Sequence, residues 1–213
     1  MNESFDIPGP AGRLEAILMR PAAGPVAAAV VCHAHPLHGG MMHFKVVFRA
    51  ARALQGQGLA ALRFNFRGVG RSEGAHDHGR GEQDDVAAAL DEMQRRFPAL
   101  PLVLGGFSFG SAVSLRIGAK DGRVDALFAL GFPVSMVPDT TFLGSIRRPC
   151  LFVQGEHDEF GAAAGLRETA RQVPAASLVV VPGADHFFSD HLDDLQAAVG
   201  AWASTRPWEA ARC

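Results

Sequence analysis

Apolar runs of strand length alternate along this chain with longer segments of helical periodicity. The runs are continuously apolar, which is typical of strands buried on both faces of a parallel sheet. The predicted strands are Val26–Cys32, Leu59–Asn65, Pro101–Phe107, Ala126–Leu130, Cys150–Gln154 and Ser177–Val181. The predicted helices are His43–Gln57, Gly81–Phe97, Ser108–Lys120, Ala162–Gln172 and Asp190–Ala203. This repetition predicts an α/β fold in which helices cover both faces of a mostly parallel sheet.

Two further segments complete the predicted organisation. Gly12–Met19 alternates between apolar and polar residues, which favours an antiparallel strand at the edge of the sheet. The long connection Gly131–Pro149 has room for a loop or a short helix but not for a large cap domain. No Ser/Pro-rich linker, charge block or repeat interrupts the chain, so we expect residues 1–213 to form a single domain.

Charge and composition exclude several classes of protein. The chain has 20 Lys+Arg and 22 Asp+Glu, a net charge of −2, which argues against a general nucleic-acid binder. No apolar run approaches the roughly 20 residues that a membrane span requires, and no secretory signal is visible at the start. Three cysteines, Cys32, Cys150 and Cys213, include no C-x-x-C pair and predict free thiols. We therefore expect a cytoplasmic protein with no membrane or nucleic-acid partner.

A G-x-S-x-G motif follows the predicted strand that ends at Phe107. It consists of Gly106-Phe107-Ser108-Phe109-Gly110, and an apolar helical segment comes directly after it. A sharp strand-to-helix turn brings its two glycine positions almost into contact, so neither can carry a side chain. The turn exposes the serine hydroxyl at a helix N-terminus, where backbone amides favour negative charge. The motif therefore predicts that Ser108 is a nucleophile.

A serine nucleophile requires a base, and the base requires an acid that orients it. In enzymes with this turn, the acid precedes the histidine in the chain. The predicted strand Cys150–Gln154 is followed by an acid-rich turn, and the next predicted strand is followed by His186. We assign Asp158 as the acid and His186 as the base. Glu156 and Glu159 are the alternatives for the acid.

Two backbone N–H groups are needed to stabilise an oxyanion. The residue after the nucleophile, Phe109, supplies the first of them. The second comes from the loop after Val26–Cys32, where we assign the amide of His35, with Leu37 as the alternative.

The same loop contains several histidines, His33, His35, His38 and His43. Their spacing on an irregular Gly/Pro loop matches none of the usual zinc patterns, and no acidic residue lies nearby. We expect these histidines to shape the loop through hydrogen bonds, and we predict no metal site.

A glycine-rich segment, Asn65–Gly74, also follows a predicted strand. It lacks the third glycine of a dinucleotide-binding loop, because Glu73 occupies that position. We interpret it as a structural turn in which Arg67 pairs with nearby carbonyls or acids, and we predict no cofactor.

Together these motifs resemble the α/β-hydrolase superfamily, and more narrowly its small lidless bacterial serine hydrolases. The resemblance extends from about Gly12 to Ala203. Four stretches carry it: His33–Gly40, Leu62–Ser72, the serine turn and Asp185–Phe188. The chain departs from the His-Gly form of the oxyanion loop, since it has Ala34 where that form has glycine. It also has a serine where dienelactone hydrolases have a cysteine nucleophile.

The resemblance implies a Ser108–His186–Asp158 triad, with Phe109 as one oxyanion donor. We expect hydrolysis of small acyl esters through an acyl-enzyme, with thioesters or amides as alternatives. A hydrolase-fold scaffold that binds without turnover is the alternative from another class. The expected partner is a small acyl substrate, bound in an open pocket near Phe107, Phe132, Met136, Phe142 and Phe187. We expect several of these five side chains, Phe107 among them, to belong to the core rather than to the pocket.

Overall fold

The computed structural model describes residues 2–210, and its eight strands form one sheet. The strands are β1 Asn2–Gly9, β2 Gly12–Met19, β3 Ala27–Cys32, β4 Leu59–Phe64, β5 Leu102–Phe107, β6 Val124–Leu130, β7 Cys150–Gly155 and β8 Ala176–Val181. Their order across the sheet is β1-β2-β4-β3-β5-β6-β7-β8. The first two strands run antiparallel to their neighbours, whereas β3 to β8 are parallel. The loops after the parallel strands therefore meet at one edge of the sheet.

Helices cover both faces of this sheet, as the sequence predicts. The helices are α1 Lys45–Gly56, α2 Gly81–Arg96, α3 Phe109–Gly118, α4 Ala163–Ala170, α5 Leu192–Ser204 and α6 Pro207–Ala210. One apolar cluster packs α2, α3 and α4 against the sheet, and a second cluster packs α1, α5 and α6 against the opposite face. The connection between β6 and β7 contains only two short 3-10 helices, Val134–Met136 and Thr141–Ser145, and no cap domain.

The edges of the sheet differ from the prediction. All six predicted parallel strands are present, with bounds within two residues of those expected. The strand predicted as the edge, β2, lies between β1 and β4, so β1 is the edge strand. Sequence analysis missed β1 because Ile7 is its only buried residue and its structure depends on pairing with β2. At the other edge, β8 is not buried on both faces, and Ser177 and Val179 are exposed.

Helix ends also depart from the periodic pattern. The last predicted helix starts at Leu192 rather than Asp190, because Asp190 has a left-handed φ of 60°. The chain then forms α6, which the sequence did not predict and which buries Trp208 against the sheet.

A buried ion pair closes the glycine-rich segment, as predicted for Arg67. The guanidinium of Arg67 donates to both carboxylate oxygens of Asp85, with Nη2 2.7 Å from Oδ1. The backbone N–H of Arg67 donates to Asp85 Oδ2 at 3.0 Å. Asp85 is fully buried and holds this loop against the first turn of α2.

Replacing Asp85 with alanine should lower the free energy of unfolding by about 3–5 kcal/mol, because it leaves a largely buried guanidinium without its partner. Urea denaturation measures the loss. Asp84→Ala, an exposed position in the same helical turn, is the matched control and should change stability by less than about 0.5 kcal/mol. Equal losses in the two variants would contradict the assignment.

Cys32 and Cys150 are free, fully buried thiols, as predicted, and burial raises the pKa of both. Cys213 lies outside the described residues. Across residues 2–210, no helix has both the length and the hydropathy needed to cross a bilayer.

Candidate active site

Ser108 lies on a strained turn between β5 and α3. Its φ of 54° and ψ of −120° are outside the usual regions for a residue with a Cβ. A Cβ built on Gly106 would lie 2.7 Å from the backbone carbon of Gly110, and one on Gly110 would lie 2.3 Å from the His33 oxygen. The turn therefore needs glycine at both flanking positions, as the sequence motif predicts.

The structure brings Ser108, His186 and Asp158 into one chain of contacts. The Ser108 Oγ lies 2.9 Å from His186 Nε2, and His186 Nδ1 lies 2.8 Å from Asp158 Oδ2. Each residue comes from a different loop at the carboxyl edge of the sheet, after β5, β7 and β8. The His186 ring is nearly inaccessible to solvent, and the Asp158 side chain is fully buried. The arrangement can move a proton from the serine to the imidazole while the carboxylate holds the ring.

Both oxygens of the Asp158 carboxylate accept hydrogen bonds. Its Oδ1 accepts the backbone N–H groups of Phe160 and Gly161 at 2.9 and 3.0 Å. Its Oδ2 accepts the side-chain amide of Gln154 at 2.7 Å as well as facing His186. Sequence analysis missed Gln154, a fully buried residue that also accepts a bond from the Phe132 N–H at 3.0 Å. A polar residue at the end of an apolar strand was the available signal.

The other acids near the site have different contacts. Glu156 is exposed and accepts the Gly183 N–H at 2.9 Å, and Glu159 is also exposed. Asp185 accepts the Ser189 N–H at 2.9 Å, and hydrogen bonds from this turn lower its pKa against the cost of burial. Asp158 is therefore the acid that contacts the imidazole.

The two assigned oxyanion donors belong to adjacent segments. Phe109 is the first residue of α3, so its N–H has no partner within the helix. Within residues 2–210 the His35 N–H donates to no backbone carbonyl, although the His35 oxygen accepts from His38 and Gly40. The rings of His35 and Phe109 meet edge to face at 5.0 Å, which places the two backbone segments side by side.

A buried histidine joins the oxyanion loop to the glycine-rich loop. His33 Nε2 accepts the Phe66 N–H at 3.0 Å, while Nδ1 lies 2.7 Å from the Ala34 oxygen. These contacts require a neutral ring that donates from Nδ1. Burial lowers the pKa of His33 to about 4. The predicted loop-shaping role is thus met at His33, and also at His35, whose Nδ1 accepts the Leu37 N–H at 3.2 Å.

The free energy of unfolding should fall as the pH falls from 6.5 to about 4, because the unfolded chain then protonates His33 while the folded protein does not. The contribution of this one group is up to about 3 kcal/mol. Urea denaturation of wild type and His33→Gln at pH 7 and pH 4 measures it as the difference between the two pH dependences. His43→Gln, at an exposed site, should behave as wild type. An unchanged pH dependence in His33→Gln would refute the prediction.

A second histidine contact supports the Phe109 ring. The His76 ring lies 5.6 Å from Phe109 and 4.8 Å from His35. Its Nδ1 is 2.8 Å from the buried Glu82, but the two groups are not aligned as a hydrogen bond. Glu82 accepts hydrogen bonds from the N–H groups of Asp77 and Gly79, at 2.9 and 2.8 Å.

In the described part of the chain, no three His, Cys, Asp or Glu side chains converge as metal ligands would.

As expected, several of the five residues predicted near the pocket belong to the core. Phe107 and Phe132 are both fully buried. Phe142 lies under the Arg116 guanidinium, 4.4 Å from it. Of the five, Phe187 lines an open depression between the start of α1 and the segment that follows His186. Sequence alone does not distinguish these aromatic residues, because their burial depends on contacts between distant segments.

Comparison with known proteins identifies the family. The sequence profile for "Alpha/beta hydrolase domain" matches residues 27–201. The chain belongs to the α/β-hydrolase family. This member is 35% identical to XC6422 from Xanthomonas campestris, a serine hydrolase without a lid, with a TM-score of 0.86 over 97% of this chain and 94% of that one. A serine hydrolase homologue from Coxiella burnetii is 37% identical, with a TM-score of 0.86 over 93% and 96% of the two chains.

A curated relative is similar over nearly its whole length. The uncharacterized protein RP471 of Rickettsia prowazekii is 32% identical over 206 residues, which are 92% of this chain and 87% of the relative. The family assignment therefore covers most of the chain, including the loops that carry Ser108, Asp158 and His186.

Proposed function

We propose that this hydrolase is a serine esterase that cleaves small carboxylic esters through an acyl-enzyme. The observation that carries the proposal is the continuous contact from Ser108 Oγ through the imidazole to Asp158, at 2.9 and 2.8 Å. A serine hydroxyl is a poor nucleophile at neutral pH, and this arrangement supplies the base that activates it.

In the first step, Ser108 Oγ attacks the acyl carbon while its proton moves to His186 Nε2. Asp158 holds the ring in the tautomer with a proton on Nδ1, which leaves Nε2 free to accept. The amides of Phe109 and His35 donate to the oxyanion. The His186 proton then passes to the leaving oxygen as the bond between the carbonyl carbon and that oxygen breaks.

In the second step, water attacks the acyl-enzyme, and His186 accepts a proton from the water. The tetrahedral intermediate collapses, the carboxylic acid leaves, and the proton returns to Ser108 Oγ. The same two amides stabilise both oxyanions.

Small esters fit the surroundings of the triad. The connection between β6 and β7 forms only two short 3-10 helices, so no cap encloses a long acyl chain. Thioesters and amides undergo the same chemistry and should be assayed beside the esters. A scaffold without turnover is the competing function, and the strained conformation of Ser108 favours catalysis over it.

Labelling with a fluorophosphonate tests the nucleophile directly. We expect one covalent adduct, which mass spectrometry maps to Ser108, and hydrolysis of p-nitrophenyl acetate that the adduct abolishes. No adduct and no hydrolysis of any ester, thioester or amide would favour the scaffold. An adduct at another serine would refute the assignment.

A further inference from the structure

An open depression of about 690 Å³ lies between the start of α1 and the segment that follows His186. Its apolar walls include Met41 and Phe44 on one side, and Phe187 and Leu192 on the other. Met41 is 42% exposed and Phe187 is 46% exposed, unusual values for large apolar side chains. The depression is therefore an apolar surface open to solvent, with room for a small organic group.

The segment that forms one wall of this depression has a strained backbone. Phe188 and Asp190 have left-handed φ values of 54° and 60°. Such a conformation is costly for a bulky side chain such as that of phenylalanine. At this turn, two neighbouring aromatic side chains have different surroundings. Phe188 is fully buried, while Phe187 lines the depression. Strain of this kind concentrates at functional sites, and Ser108 shows it in the same protein.

A chain of aromatic rings connects the depression to the base. The Phe187 ring lies 5.2 Å from the His186 ring and 6.2 Å from Phe44. Phe44 stacks on Phe107 at 5.6 Å, and Phe107 lies 5.1 Å from His186. Phe187 therefore both lines the depression and contacts the imidazole.

Charges in the depression favour a neutral ligand. Lys45 and Arg49 are balanced by Asp190 and Asp193, and the Arg49 Nη1 lies 2.7 Å from Asp193 Oδ1. This balance offers no net attraction to a carboxylate or an ammonium group.

We propose that this depression binds the alcohol portion of the ester and selects neutral aryl or arylalkyl alcohols. The inference rests on the proposed esterase function. In that mechanism, His186 gives its proton to the leaving oxygen, so the leaving alcohol lies next to the imidazole. Phe187, the next residue in the chain, forms the wall nearest that position. Phe187 and Met41 are the specificity-determining residues.

Three esters test the proposal: one has an aromatic ring on the alcohol, one has it on the acyl group, and one has no ring. Phe187→Ala should lower kcat/KM about tenfold for benzyl acetate, whose ring is on the alcohol. The ratio of kcat/KM for benzyl acetate to that for ethyl acetate should therefore fall about tenfold, whereas the same ratio for ethyl phenylacetate, whose ring is on the acyl group, to ethyl acetate should stay as in wild type. Met136→Ala, at a more exposed apolar residue that does not line the depression, is the control and should leave all three rates unchanged.

Met41→Trp provides a second variant, which fills the depression rather than emptying it. It should also lower the ratio of kcat/KM for benzyl acetate to that for ethyl acetate. A loss confined to ethyl phenylacetate would place the acyl group in the depression and overturn the proposal. An equal loss on all three esters would mean that Phe187 acts only through His186. Wild-type hydrolysis of ethyl acetate without a preference for benzyl acetate would reject the subsite alone, whereas no hydrolysis of any ester would reject the esterase function and the subsite together.

Discussion

Replacing Ser108 with alanine is expected to lower kcat for p-nitrophenyl acetate by about 10⁴–10⁶ and to abolish fluorophosphonate labelling. The variant removes the only atom that can form the acyl-enzyme, while His186 and the two oxyanion amides remain. The residual rate over water should therefore come from oxyanion stabilisation and binding alone. Alanine keeps the Cβ, so the strained turn is preserved and the protein should fold as wild type.

Ser114→Ala is the matched control for this experiment. Ser114 lies in the same helix, and its hydroxyl donates to the Ser111 oxygen at 3.1 Å. We expect its kcat to remain within about threefold of wild type, since it does not contact the triad. A Ser108→Ala protein that keeps more than a tenth of the wild-type kcat would show that another group is the nucleophile.

Replacing Asp158 with asparagine should lower kcat by about 10³–10⁴ without changing the shape of the site. Two backbone N–H groups donate to Oδ1, so an asparagine at this position must direct its own oxygen toward them. Its NH₂ group then faces His186 Nδ1 and the Gln154 amide. That contact favours the imidazole tautomer with the proton on Nε2, which cannot accept a proton from Ser108.

Glu156→Gln tests the alternative acid from the sequence. Glu156 bonds to the Gly183 N–H and makes no hydrogen bond or ion pair with the imidazole among residues 2–210. Its kcat should therefore stay within about threefold of wild type. If Glu156→Gln lost more activity than Asp158→Asn, the orienting role would pass to Glu156. A thermal unfolding curve of Asp158→Asn distinguishes a loss of kcat caused by the wrong imidazole tautomer from one caused by unfolding. We expect this variant to remain folded at the assay temperature.

The parallel part of the sheet follows from local sequence. Continuous apolar runs of strand length favour burial, and β3 to β7 are buried along nearly their whole length, whereas β8 at the edge is only partly buried. The serine turn is local in part: a Cβ on Gly106 would meet the backbone of Gly110, but a Cβ on Gly110 is excluded by the backbone of the distant residue His33. Ser108, Asp158 and His186 each follow a predicted parallel strand, and such strands end at the same edge of the sheet. The sequence therefore also predicts that the three residues lie at that edge.

Partners from distant segments cannot be predicted in this way. Near the start of α2, for example, Asp85 bonds to Arg67, and Glu82 bonds to the turn at residues 77–79. Gln154 is a polar residue at the end of an apolar strand, but nothing local in the sequence indicates that its side chain bonds to Asp158. β1 is too polar to predict alone and forms because β2 provides a complete pairing partner.

The amino-acid sequence by itself determined the α/β class, the glycine-flanked serine and the candidate acid and base, since periodicity and steric limits operate over a few residues. Only the tertiary structure decided which carboxylate meets His186, which aromatic rings are buried and where an open apolar depression adjoins the base. Those outcomes depend on desolvation and on contacts between segments far apart in the chain, and free energies of that kind are not encoded in any local pattern.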